Sequence, residues 1–141
     1  MRVYYLFKIN DSFTGLYKNK TFYLYKMFEQ ISKSSKSDFI ISYRLFSQMA
    51  STFNKSNVNG VLYKSYFNNS CYDKILNKHI YDDGVEKTKL MVYNTYIKIK
   101  TNKNITCFFK NLAYLDNVFV CDFKNKDYFW LNKVAYRTCV K

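Results

Sequence analysis

His79 is the only histidine in the chain, and so the only side chain whose ordinary pKa suits proton transfer near neutral pH. Cys71 precedes it and the acidic pair Asp82-Asp83 follows it. A catalytic base needs a positioned partner, and His79 falls on the apolar stripe of its segment, so it reads as a packed residue. Cys71, His79 and the two aspartates lack the paired ligand spacing of a zinc site. Asp82 and Asp83 read as a solvated turn. Cys71, Cys107, Cys121 and Cys139 are widely separated and form no C-x-x-C pair, which fits reduced thiols in or near a core. Gly15, Gly60 and Gly84 are isolated, so the sequence has no glycine-rich phosphate loop. No Ser/His/Asp or Cys/His set can be assembled from spacing. These residues predict no catalytic group, no metal site and no cofactor, and they favour a binding protein over an enzyme.

Phe13 and Tyr17 offer contact chemistry instead. They are four positions apart, about one helical turn, so both rings project from one helix face. The residues around them, Asn10, Asp11, Ser12, Thr14, Lys18 and Asn19, are polar. An aromatic pair on a polar turn is a candidate protein-binding patch, because aromatic anchors dominate interface energetics. Gly15 lies between them and weakens the helix by about 1 kcal/mol relative to Ala.

The 141 residues suit a single domain, 1–141, with enough length for a core. Hydrophobic residues are 48% of the chain and aromatics 21%, which excludes a mainly disordered protein. No apolar run reaches the roughly 18 residues that cross a bilayer, and the N-terminal segment lacks signal-peptide character. The expected location is therefore cytoplasmic, with no membrane partner. Net charge is +13. Lysines neutralise phosphates, so a small basic nucleic-acid-binding protein is the alternative reading. Yet among 23 basic residues only Arg2, Arg44 and Arg137 are arginine. The chain is also rich in Asn, Tyr and Phe and has no Pro, the bias that AT-rich codons impose. A base-reading protein would use more Arg for bidentate contacts, so no specific nucleic-acid recognition is expected. Lysines gathered on one sheet face would favour the alternative; scattered lysines would count against it.

Several elements must position these residues. Val, Ile and aromatics over 3–9 predict a strand, and 11–18 a short helix capped by Asn10 or Asp11. Leu24, Met27, Phe28 and Ile31 predict a helix over 21–33. A further helix is expected over 38–53, with Phe39, Tyr43, Phe46, Ala50 and Phe53 on one face. Asn57-Val58-Asn59-Gly60 predicts a turn, and Val61 to Phe67 a strand. Ser70 and Asp73 resemble a capping box for a helix carrying Tyr72, Ile75, Leu76 and His79. Strands are expected over 88–93 and 96–101, and a helix capped by Asn104 with Ile105, Phe108, Phe109 and Leu112 on one face. A closing hairpin is expected over 118–131 with its tip at Lys124 to Asp127. This order predicts an α/β domain, with α+β the other possibility: a central mixed sheet packed with helices.

Two stretches carry a family resemblance. Tyr4-Tyr5 leads into Phe13 and Tyr17, and Lys26 to Gln30 continues in the next helix. At the other end, Asp122, Phe123, Lys126, Tyr128, Trp130, Leu131, Asn132 and Val134 match a D-F-x-x-K-x-Y-x-W-L-N-x-V pattern. Together they resemble the sporulation inhibitor of replication family, SirA, of endospore-forming Firmicutes. The resemblance covers roughly the first 30 and last 25 residues. It implies a non-enzymatic inhibitor of replication initiation during sporulation, which binds the N-terminal domain of the initiator DnaA and blocks its assembly at the origin. It implies that Phe13 and Tyr17 belong to the DnaA-binding surface. It also implies that the closing motif is scaffold, with Trp130 packed inward; a Trp130 at an interface is the alternative.

Overall fold

A computed structural model describes residues 1–33 and 46–134. β1 (Arg2–Ile9) opens the chain and alternates its side chains: Tyr4 and Leu6 are buried on one face, Phe7 and Ile9 on the other. α1 (Asp11–Tyr17) and α2 (Thr21–Ser32) follow. After the short β2 (Ala50–Ser51) comes α3 (Lys55–Tyr66), then β3 (Tyr72–Ile75), β4 (Lys78–Asp82), β5 (Lys87–Val92) and β6 (Ile97–Thr101). α4 (Phe108–Leu112), β7 (Val118–Asp122) and β8 (Asp127–Trp130) complete the named elements.

The strands form one sheet in the order β3-β4-β5-β6-β1-β7-β8, with β2 pairing the end of β1. Every pairing is antiparallel, where a mixed sheet was expected. The reason is connectivity: β3 to β6 follow one another through short links, and parallel neighbours would need a crossover element between them. The fold is therefore α+β.

Strand register sorts the side chains into two layers. Tyr4, Ile99 and Leu90 lie abreast and face α3 and α4. There Val58, Leu62 and Tyr66 of α3 and Phe108, Phe109 and Leu112 of α4 complete a core. On the opposite face, Phe7, Ile9, Phe119, Cys121 and Trp130 meet Leu24, Tyr25 and Phe28 of α2. Phe7 and Phe28 stack at 4.2 Å, and Phe119 meets Trp130 edge-on at 5.1 Å.

The middle of the chain departs from expectation. Residues 57–66 form helix rather than turn and strand, and Phe67 is its C-cap. Asn54 caps it by accepting the Asn57 amide at 3.1 Å, and Val58, Leu62 and Tyr66 recur every four residues toward the core. Residues 72–82 form a hairpin, not a helix. Ile75 pairs Lys78 across Leu76-Asn77, and Leu76 adopts φ 55°, a conformation unusual for a bulky side chain and unmarked by glycine. α4 begins after Cys107, so Asn104 does not cap it. The helix expected over 38–53 lies outside the described residues as far as residue 45; residues 46–49 are helical and then give way to β2. Cys139 also lies outside them.

Candidate functional site

α1 is a seven-residue helix with no buried residue, so its place is set by its ends. Asn10 caps it, its side-chain oxygen accepting the Phe13 amide at 3.0 Å. The Asn10 backbone amide donates to the Met49 carbonyl at 2.9 Å, and its side chain donates to the Gln48 carbonyl. Asn117 donates to Asp11 at 3.0 Å. At the far end the Trp130 indole N–H donates to the carbonyl of Lys18 at 3.1 Å. Lys18 is the C-cap of α1, so the closing strand holds the helix directly.

Phe13 and Tyr17 do come together on that helix. Their rings stack at 5.8 Å with planes 13° apart, both are half-buried, and both rest against the α2-side core. They are neither free on the surface nor absorbed into the interior. Gly15 between them has an ordinary helical backbone, and a Cβ there would meet nothing within 4 Å. On the same two helices, Leu16 of α1 is 66% exposed, and Phe22 and Tyr23 of α2 are 51% and 62% exposed. Sequence reasoning missed these three. Their signal was available: Phe22 and Tyr23 sit off the Leu24, Met27, Phe28, Ile31 stripe, so they must point away from the core that α2 covers.

Most matched residues of the closing motif pack into the fold, while Lys126 and Asn132 are exposed. Asp122 is buried and accepts from Arg2 Nε at 2.9 Å, while Arg2 also pairs with Asp127 at 2.8 Å. Tyr128 stacks on Tyr25 at 4.7 Å. Trp130 packs inward and is buried, as is Leu131. Tyr25 in turn donates to Glu29 at 2.9 Å. That bond, with Lys26 beside it, holds the Glu29 carboxyl below its ordinary pKa.

Of the potential chemical groups, His79 and Cys121 are buried, Cys71 and Cys107 are half-buried, and Asp82 and Asp83 are exposed. His79 is fully buried on β4. Its Nε2 lies 2.8 Å from Asn59 Oδ1 and its Nδ1 lies 2.7 Å from the Tyr72 hydroxyl. Asn59 donates its amide to Asn77 at 2.8 Å, which fixes its oxygen toward His79. The ring is therefore the neutral Nε2–H tautomer, accepting from Tyr72. Burial lowers its pKa to about 4, and Lys74 adds to the shift. Burial also pushes the Cys107 thiol up to about 12 and the Cys121 thiol well above its ordinary value, so neither is a ready nucleophile. Glu86 is buried too, accepting from Thr88 and Thr106 hydroxyls at 2.6 Å each and from the Cys107 amide at 3.2 Å. Among the described residues no three His, Cys, Asp or Glu side chains gather as metal ligands. No helix among them is long and apolar enough to cross a membrane.

Five of the twenty lysines share one face of the sheet, where Asp82 stands directly opposite Lys87. Lys87 and Lys89 on β5, and Lys98 and Lys100 on β6, all point to the face opposite α3 and α4. Lys78 on β4 joins them beside Met91. α2 packs over β1, β7 and β8 on that side, and no described helix covers β3 to β6. Among the described residues none of these five forms an ion pair.

No match was found among curated proteins. The family model for the sporulation inhibitor of replication protein SirA, a regulatory inhibitor, matches residues 2–135. That span includes the middle segments as well as both ends, and so extends beyond the two stretches where the resemblance was first visible. With nearly its whole length matched, the chain belongs to the SirA family of sporulation inhibitors of replication.

Proposed function

We propose that this protein inhibits replication initiation during sporulation by binding the N-terminal domain of DnaA through α1. The observation that carries the reading is the stacked, half-buried Phe13–Tyr17 pair on a helix with no fully buried residue. Completing the burial of two aromatic rings supplies roughly 2 kcal/mol or more per strong anchor. The Tyr17 hydroxyl adds a hydrogen bond at the wet edge. Leu16 extends the apolar surface. Family membership supports the biological setting. Inhibition is competitive: an occupied assembly surface on DnaA is closed to its other partners. The +13 charge speeds encounter with an acidic partner surface and adds less to the lifetime of the complex.

The test is binding of the DnaA N-terminal domain to the wild type and to Phe13→Ala and Tyr17→Ala. Each substitution is expected to weaken binding about 30-fold, the equivalent of about 2 kcal/mol. Wild type that fails to bind at moderate salt removes the DnaA reading. Wild type that binds, with both variants equal to it, moves the interface away from α1.

A further inference from the structure

We infer that the open face of β4–β6 is a second binding surface, built for the backbone of a single-stranded nucleic acid. Cross-strand register brings the charges together. Lys89 lies directly opposite Lys100, and Lys78, Met91 and Lys98 form the next row. Like charges directly opposite each other destabilise a sheet, so Lys89 and Lys100 add nothing favourable to the folded protein alone. A polyanion laid across the rows would neutralise them and release its counterions.

What favours a nucleic-acid strand over an acidic protein is the aromatic margin. Where the rows reach β1, Lys98 Nζ sits 5.7 Å from the centre of the Tyr5 ring. Tyr5 meets Tyr96 at 5.9 Å, and Tyr96 meets Tyr93, which is 36% exposed, at 4.7 Å. Lysines for phosphates beside ring faces for bases is the arrangement that binds single strands without reading sequence. The near absence of arginine agrees with backbone contact rather than base readout. This surface lies apart from α1 and does not depend on the DnaA reading.

The experiment is fluorescence anisotropy of a labelled 20-nucleotide oligo-dT with the full chain, across 50 to 200 mM salt. Lys89→Gln/Lys100→Gln is compared with Lys64→Gln/Lys110→Gln, which removes the same charge from the exposed lysines of α3 and α4. The sheet-face variant is expected to bind about tenfold more weakly at 50 mM salt. Its log–log salt slope should fall by about 1.4, two contacts at about 0.7 each. Tyr93→Ala should weaken binding severalfold with the slope unchanged. Phe13→Ala should bind oligo-dT like wild type. Equal loss in both lysine variants would mean net charge alone is at work and would overturn the proposal, as would no binding at 50 mM salt. A duplex that binds as tightly as oligo-dT overturns the single-strand assignment. Polyglutamate held as tightly, through the same two lysines, reassigns the face to an acidic protein.

Discussion

On one side of the sheet α3 and α4 cover strands from β3 through β1 to β7, while on the other side α2 covers β1, β7 and β8 and stops. The covered side takes its polar groups inside and satisfies them. His79 has a partner at each ring nitrogen, and Glu86 gathers two hydroxyls and an amide. The half-covered side leaves its edges unfinished: a stacked ring pair at half burial on α1, and five lysines without ion-pair partners among the described residues. Both faces carry a core, and both proposed recognition surfaces lie on the half-covered side. A well-packed face has little left to gain from a partner, whereas rings held at half exposure still have apolar area to bury.

Trp130 is where the division can be broken most forcefully. It packs edge-on against Phe119 and its N–H holds the end of α1. Trp130→Ala should cost about 3–5 kcal/mol, read by urea unfolding. Hydrogen exchange should show the amides of α1 and α2 opening before those of α3. Equal loss of protection in α3 under native conditions would mean that the two faces open as one unit.

An acid titration sharpens the comparison from the covered side. His79 has its pKa lowered to about 4 from 6.5, because burial favours the neutral ring. Its contribution is therefore fully present above pH 6.5 and is lost as pH falls from there toward 4. At pH 4.5 the loss should be roughly 2–3 kcal/mol. Comparison with His79→Gln isolates this from carboxylates that titrate in the same range. The stability gap between the two proteins should narrow by that amount between pH 7 and pH 4.5, and a constant gap would remove His79 as the source.

The half-covered side was also the more legible in sequence. β1 was marked by its run of Val, Ile and aromatics and α2 by its 3.6-residue stripe, Asn10 or Asp11 marked the start of α1, and a polar tip separated β7 from β8. On the covered side β5, β6 and the apolar face of α4 were legible too, but α3 and the β3–β4 hairpin lay behind local signals that tertiary packing overrode. Asn57 to Gly60 looked like a turn, yet it lies inside α3, where Val58 and Leu62 decide the outcome by burial. The β3–β4 hairpin turns on Leu76 in a left-handed conformation, a residue no turn rule selects. His79 stood on a stripe that served a helix or a strand equally, and only pairing with Leu90 resolved it. Phe13 and Tyr17 were legible as a pair because a single turn of helix fixes their relation. The lysine face was not, since it takes three strands in register to set residues 78 and 98 in one row and residues 89 and 100 in the next.

The smallest expected effect bears on how α1 presents its rings. Gly15 costs the helix conformational entropy in a segment of seven residues, and a Cβ there would point into open space. Gly15→Ala should raise stability by about 0.5–1 kcal/mol and slow exchange of the α1 amides. It leaves Phe13 and Tyr17 in place, so any change in DnaA binding reports the order of the helix rather than its contacts. If the pair acts as a preorganised surface, the variant should bind two- to fivefold more tightly, through a slower off-rate. Weaker binding would mean instead that the partner approaches Gly15 closely enough for one methyl group to matter, which would place the centre of the interface between the two rings.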